Sequence, residues 1–270
     1  MVNNTGTDAV LSPQELMNLQ VGALFTYDSN GRTLTLDEPW DGHRPAPRFY
    51  LGRTVDGKIV VRFRHDVEDT LAAELEQIAK DEPAAAVFDC EETEFRGLPK
   101  FRDKYLQLLG QKEYSAGPCW LVAAGARAPN CSEAGAGGLA GPEKSISILI
   151  TRDNIDQFKL DSQIKPEKGF EWLRDEIDTA EPCAGLIIEG RLVSQCRSVR
   201  RSPKAHEAGL ETLPDYRGRG YAAIVTAGWA AAVRDLGALP FYTTSWNNTG
   251  SRSVARKLGL YYYGNSFSVY

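Results

Sequence analysis

The chain has 270 residues, 42% hydrophobic and 25% charged, the balance of a soluble globular protein with room for one large domain or two small ones. Its net charge of −5 is uneven, because residues 191–270 hold 11 Lys/Arg against 4 Asp/Glu. A basic last third joined to an acidic remainder points to a local anionic ligand, and basic residues spread without aromatic interleaving argue against nucleic-acid binding. No apolar run is long enough to cross a bilayer, and "MVNNTGTDAV" lacks the regions of a signal peptide, so no membrane contact and a cytoplasmic address are expected. Five cysteines (Cys90, Cys119, Cys131, Cys183, Cys196) without a C-x-x-C pair, and three histidines far apart (His43, His65, His206), predict buried thiols, no disulfide framework and no metal site.

Residues 1–140 read as a mixed α/β region. "RFYLGRTVDGKIVVRFRH" (48–65) alternates on both sides of Asp56-Gly57 and predicts a hairpin. A helix is expected from an N-cap at Asp66, with Leu71, Leu75 and Ile78 on one face and Pro83 as its stop. A shorter one is expected over Phe101–Leu109, ended by Gly110. "APNCSEAGAGGLAGPEK" (128–144), with its glycines and prolines, is expected as a linker or a mobile loop between residues 1–140 and 145–270.

Beyond it the pattern predicts a strand at 145–151 and helices near 152–159 and 167–178. Strands on either side of Gly190-Arg191 and a strand at 205–213 follow. Residues 221–236, "YAAIVTAGWAAAVRDL", are apolar on nearly every side and predict a helix covered by other elements. A strand at 239–246, a helix from Asn248 to about Leu258 with Gly259 after it, and one or two strands in "LYYYGNSFSVY" complete the chain.

Between the strand at 205–213 and the apolar helix lies "PDYRGRGYAA" (214–223). A strand, a glycine-rich turn and a buried helix form an anion site, because the first helical N–H groups have no intrahelical partner and the helix dipole adds positive potential. Glycines allow close approach, and Arg217 and Arg219 add charge. The structural alternative is a surface turn with helix-capping glycines. Gly218-x-Gly220-x-x-Ala223 formally fits a dinucleotide fingerprint, which would need an acidic residue about 20 positions on; no Asp or Glu occurs after Asp235. The mononucleotide P-loop pattern is absent as well.

Arg217-x-x-Gly220-x-Ala222 resembles the R/Q-x-x-G-x-G/A loop of the GCN5-related N-acetyltransferases, which grips the pyrophosphate of acetyl-CoA. "NNTGSRSVARKLGL" (247–260) resembles the second signature of that family, an Asn followed by a helix closing in K-x-G-F/L. The element order from 145 to 270 fits the family's plan of strand, two helices, three strands, helix, strand, helix, strand. More particularly, the chain is similar to a bacterial branch reading "YRGRGYA…W…N..S…A.KLG", here with an added N-terminal region.

The resemblance implies a mixed α/β (α+β) fold, a splayed sheet flanked by helices in 145–270, and transfer of an acetyl group from acetyl-CoA to a small-molecule or peptide amine. It implies backbone amides near Leu210, Thr212 and Leu213 against the pantetheine and thioester carbonyl. It also implies the diphosphate at Arg217, Gly218, Arg219, Gly220, Tyr221 and Ala222, and Asn248 with Ser251 beside the cofactor. A base is implied on the strand at 205–213, where Glu207 and Glu211 share a face with Gly209; each is equally readable as a surface carboxylate paired with an arginine. The tyrosine acid that many relatives carry falls here on Ala255, and Ser251, Ser253 or Tyr261–Tyr263 could substitute. A non-catalytic acyl-CoA-binding sensor is the rival reading, and a homodimer is an admissible assembly. Residues 1–140 are expected to shape the acceptor side.

Overall fold

A computed structural model describes residues 11–40, 43–86, 97–126, 145–161 and 169–270. The stretch 128–144 expected as a linker lies outside them, as do Cys90 and Cys131. Helix α1 (Pro13–Leu24) opens on a capping box, with Ser12 accepting from Glu15 N and Glu15 reaching back to the Ser12 backbone, so two orphan amides are satisfied reciprocally. Strands β1 (Phe25–Tyr27) and β2 (Thr33–Leu36) form a small antiparallel pair.

The expected hairpin is present as β3 (Phe49–Thr54) and β4 (Ile59–Phe63), with Gly57 at φ +78° in its turn. Helix α2 (Asp69–Lys80) buries Leu75 and Ile78 but is capped at Glu68 rather than Asp66. Asp66 is instead held by Arg64 through two hydrogen bonds of 2.7 and 2.8 Å, which takes it out of capping. Helix α3 (Arg102–Leu109) ends at Gly110 in the left-handed region, as its position predicts.

Strand β5 (Tyr114–Leu121) precedes β6 (Ser145–Ile150). The helix expected near 152–159 is only a 3-10 turn, Ile155–Gln157, where Asn154 folds its side chain back onto Thr151 N at 2.9 Å and Leu149 O at 2.9 Å. Of the stretch 167–178, Leu173–Glu176 is helix α4. Then come β7 (Cys183–Ile188), β8 (Arg191–Ser202), β9 (Ala205–Thr212), helix α5 (Tyr221–Asp235), β10 (Leu239–Thr243), helix α6 (Thr249–Lys257) and β11 (Tyr261–Val269).

Nine strands form one sheet in the order β4-β3-β11-β5-β10-β9-β8-β7-β6. Every pairing in it is antiparallel except β9 with β10. The fold is therefore mixed α+β, with a mostly antiparallel sheet flanked by helices. On one face α5 and α6 pack through Trp229, Val225, Val233 and Val254 against Trp120, Leu186 and Tyr242. On the other, α1 packs Leu16, Met17 and Val21 against Tyr50, Phe241 and Tyr263. Cys119, Cys183 and Cys196 are buried and unpaired. Among the described residues no helix is long and apolar enough to cross a membrane.

The sheet runs through strands from both sides of the 128–144 stretch, because β5 lies between β10 and β11. This position is hard to read from "YSAGPCWL", since a proline has no N–H for a central ladder. Pairing with β10 covers only Cys119–Leu121, so Pro118 falls where that ladder has ended. Gly117 is needed there: a Cβ would sit 1.6 Å from Thr244 O. Gly117→Ala is accordingly expected to destabilise the protein by about 1–3 kcal/mol or more through forced backbone displacement. Urea unfolding checks this, and an unchanged midpoint would contradict the tight approach.

Candidate active site

The parallel ladder of β9 and β10 is short. Ala205, His206 and Glu207 pair with Leu239, Pro240 and Phe241. Past them β9 pairs only with β8, through Thr212, while Phe241–Thr243 pairs with β5. The two strands therefore part beyond Glu207 and Phe241, and one side of β9 is left without a ladder partner. Leu213 N donates to Val193 O (2.9 Å), so by the alternation of an antiparallel ladder the Leu210 and Thr212 backbone groups point into the opening.

A cavity of about 450 Å³ lies at this end of the sheet, with Leu210, Glu211 and Thr212 of β9 on one wall. Gly218, Gly220, Tyr221 and Ala222 of the loop and α5 form a second wall, and Asn248, Ser251 and Lys257 of α6 a third. Gly218 and Gly220 have φ +78° and +83°, a region that favours glycine, and a Cβ on either would meet nothing within 4 Å. Gly220 is the N-cap of α5 without a side-chain cap. Ala223 N and Ile224 N return to Gly220 O at 3.0 and 3.4 Å, so the Tyr221 and Ala222 amides are the α5 donors left at the cavity, beside Arg217 and Lys257.

The loop residues expected at an anion divide. Arg217 is exposed, and its Nε donates to Thr212 O at 3.0 Å, tying the loop to the open side of β9. Arg219 turns away from the cavity, donating to Asp215 O at 3.1 Å with its guanidinium 5.5 Å from the Tyr216 ring centroid. Leu213 also turns away: its amide is taken by β8, and its side chain is buried with Ile187 and Leu192. Asn248 caps α6, its Oδ1 accepting from Ser251 N at 3.0 Å, which explains an Asn at that position and leaves its amide NH₂ for a ligand.

The two candidate carboxylates have opposite settings. Glu211 is exposed on the cavity wall. Glu207 is buried, at 2% exposure, where β9 and β10 part. Its Oε1 accepts from Thr243 Oγ1 (2.5 Å) and its Oε2 from Gln20 Nε2 (2.9 Å). Burial pushes the Glu207 carboxyl above the usual carboxylate range, opposed by those two hydrogen bonds and the nearby Arg200. The neighbouring His206 faces the other side of the sheet, bonded to Ser198 Oγ at 2.8 Å, and burial pushes its pKa down to about 4.

Ala255 is packed in the α5–α6 core. Of the hydroxyls considered on β11, Tyr263 is fully buried on the α1 face, and Tyr262 donates to Asn265 Oδ1 at 2.6 Å. Tyr242 of β10, which sequence reasoning does not single out, reaches the first turn of α6, with its Oη 3.3 Å from Ser251 O. Gln20 is likewise missed, because nothing in the spacing of α1 marks it. No cluster of three or more His, Cys, Asp or Glu suited to a metal occurs among the described residues.

Residues 184–270, about a third of the chain, match the family described as GNAT acetyltransferase. No curated protein matches the chain. Among solved structures, the chain is similar to a GCN5-related N-acetyltransferase-like protein from Streptococcus suis 89/1591, with 18% identity, a TM-score of 0.40, and coverage of 62% of this chain and 67% of that one. An acetyltransferase from the GNAT family of Colwellia psychrerythraea gives 11%, 0.42, 82% and 81%. A GCN5-related N-acetyltransferase from Kribbella flavida gives 15%, 0.36, 61% and 61%. The matched segment holds β7 to β11, the glycine loop and α5, and over that segment the chain is similar to the GNAT acetyltransferase family.

Proposed function

We propose that the protein is an acyl-CoA-dependent N-acetyltransferase, moving the acetyl group of acetyl-CoA to an amine of a small molecule or peptide. The observation that carries this reading is a convergence at one end of the sheet. The loop with open glycine approaches, the gap between β9 and β10, and a buried carboxylate at the apex of that gap lie together.

In this reading the α5 N-terminus, with Gly218, Gly220 and Arg217, holds the diphosphate through backbone amides and charge. The outward amides of Leu210 and Thr212 hold the pantetheine and polarise the thioester carbonyl, stabilisation supplied by fixed main-chain dipoles. Glu207 takes a proton from the acceptor amine, directly or through water. The amine nitrogen forms its bond to the acetyl carbon, the carbon–sulfur bond breaks, and the thiolate leaves with the electron pair. A thiol's reference pKa is about 8.5, so that departure needs little acid help, and the hydroxyls that line the cavity on α6 are those of Ser251 and Ser253. Residues 1–140 complete the acceptor side. A non-catalytic acyl-CoA sensor is favoured by one observation, the apolar setting of Ala255 where a tyrosine acid would stand. Release of free thiol from acetyl-CoA with a panel of primary amines separates the two: amine-dependent release supports the enzyme, and tight CoA binding without it supports the sensor.

Gly220→Val should abolish CoA binding in a folded protein, because a β-branched residue at φ +83° both strains the turn and covers the amides. Calorimetry with CoA reads this, and wild-type affinity would remove the loop from the site. Added salt should weaken CoA binding, since the diphosphate contacts are partly ionic.

Glu207→Gln should lower turnover by about 10²–10⁴-fold at unchanged CoA affinity, and Glu211→Gln by less. As the base must be unprotonated, the rate should rise with pH through an ionisation displaced above the usual carboxylate range. A Glu207→Gln enzyme with wild-type turnover would exclude it as the base.

A further inference from the structure

Helix α1 places a side chain at the apex of the strand gap that belongs to no part of the matched family segment. Gln20 is 1% exposed. Its Nε2 donates to Glu207 Oε2 at 2.9 Å, and its Oε1 accepts from the Tyr263 hydroxyl of β11. A primary amide is a donor on one side and an acceptor on the other. With the phenol donating to the acceptor side, the NH₂ group is directed at the carboxylate. Thr243 of β10 donates to the other carboxylate oxygen. Both oxygens of Glu207 thus receive a donor, each from a different element.

We propose that Gln20 is a positioning residue for Glu207, oriented by Tyr263, so that the N-terminal segment forms part of the reaction centre. The kinetic consequence rests on the acetyltransferase reading, whereas the effect on the carboxylate itself does not.

The groups around Glu207 make the sign of the effect plain. Arg200 of β8 is its ladder partner and a stabilising charge, shared with Glu38 at 2.8 Å. Tyr50 of β3, Cys119 of β5, Cys196 of β8, Tyr242 of β10 and Tyr263 itself also feel Glu207. Burial raises the pKa of each of these five, so they are neutral near pH 7. Arg200 and the donors Gln20 and Thr243 therefore oppose the desolvation of the carboxylate. Removing the Gln20 donor takes away one of three stabilising partners, and the carboxyl must then hold its proton to higher pH.

The test is an infrared titration of the protonated carboxyl band. Subtracting the Glu207→Gln spectrum isolates Glu207, and the midpoint is compared in the wild type, Gln20→Met and Tyr263→Phe. Gln20→Met should raise the midpoint by about one unit, the scale of one hydrogen bond to a charged group. Tyr263→Phe, which deletes a single oxygen and keeps the ring packing, should raise it in the same direction by freeing the amide to turn. With an amine turned over by the wild type, the acidic limb of the kcat profile should shift alongside, at unchanged KM for acetyl-CoA. Midpoints unchanged within a few tenths of a unit in the folded variants overturn the proposal, whatever the turnover. If the wild type acetylates no amine, the enzymatic reading fails and the titration still decides the role of Gln20. Should Gln20→Met not fold, Tyr263→Phe alone carries the comparison.

Discussion

The parallel pairing of β9 with β10 extends over three residue pairs and then stops, and the rest of the candidate site follows from that stop. A strand edge inside a sheet normally finds a partner, because unpaired buried N–H and C=O groups are costly. Here β10 turns its remaining groups to β5, while β9 keeps only β8. The open side of β9 is a row of main-chain donors and acceptors with no ladder partner, of which Thr212 O is taken by Arg217 Nε, next to the α5 N-terminus. A ligand that brings amide groups and a diphosphate satisfies both at once.

What holds the strands apart comes from outside the matched segment. Strand β5 gives β10 and β11 their ladder partners, and Trp246 N returns to Ala116 O at 3.1 Å, fixing the chain that leads from β10 into α6. On the opposite face, α1 covers Phe241 and Tyr263 and reaches the apex with Gln20. Residues 184–270 alone would lack β5 and leave β11 with no neighbour on that side. The N-terminal segment therefore acts first on the geometry of the gap and second on the groups exposed within it.

The order of elements from β7 to β11 was legible because local causes mark it: the Gly190 turn, the apolar α5, the Asn248 cap and Gly259 after α6. The glycine loop was legible for the same reason, since positive φ at Gly218 and Gly220 is a property of the residue itself. Strand β5 and helix α1 were not. Strand β5 carries Gly117 and Pro118, residues that count against a central strand, and only the approach of Thr244 and the end of the β10 ladder explain them. Helix α1 opens on Ser12-Pro13-Gln14-Glu15, a capping box with proline in the first turn. Its role was not readable, because the partners of Gln20 lie 187 and 243 positions away in sequence. Arg219 and Leu213 show the converse: the family resemblance implied them in the site, while Arg219 bonds locally to Asp215 O and Leu213 N to Val193 O.

Strand alternation also separates two titratable neighbours into opposite roles. His206 and Glu207 are adjacent on β9, and both are almost fully buried. His206 points under α5, where Ser198 Oγ bonds its Nδ1 and accepts from Trp229 Nε1 at 3.1 Å. Burial pushes its pKa down to about 4, so it stays neutral while the unfolded chain would bind a proton near pH 6.5. That difference costs the fold stability as pH falls from about 6.5 towards 4, and nothing above that window. Glu207 points to the α1 face, where burial moves it the other way and three partners keep its ionised form accessible. The histidine belongs to the packing that anchors α5. The carboxylate stands at the point where the strands separate, and that position is the ground on which we propose it as the base.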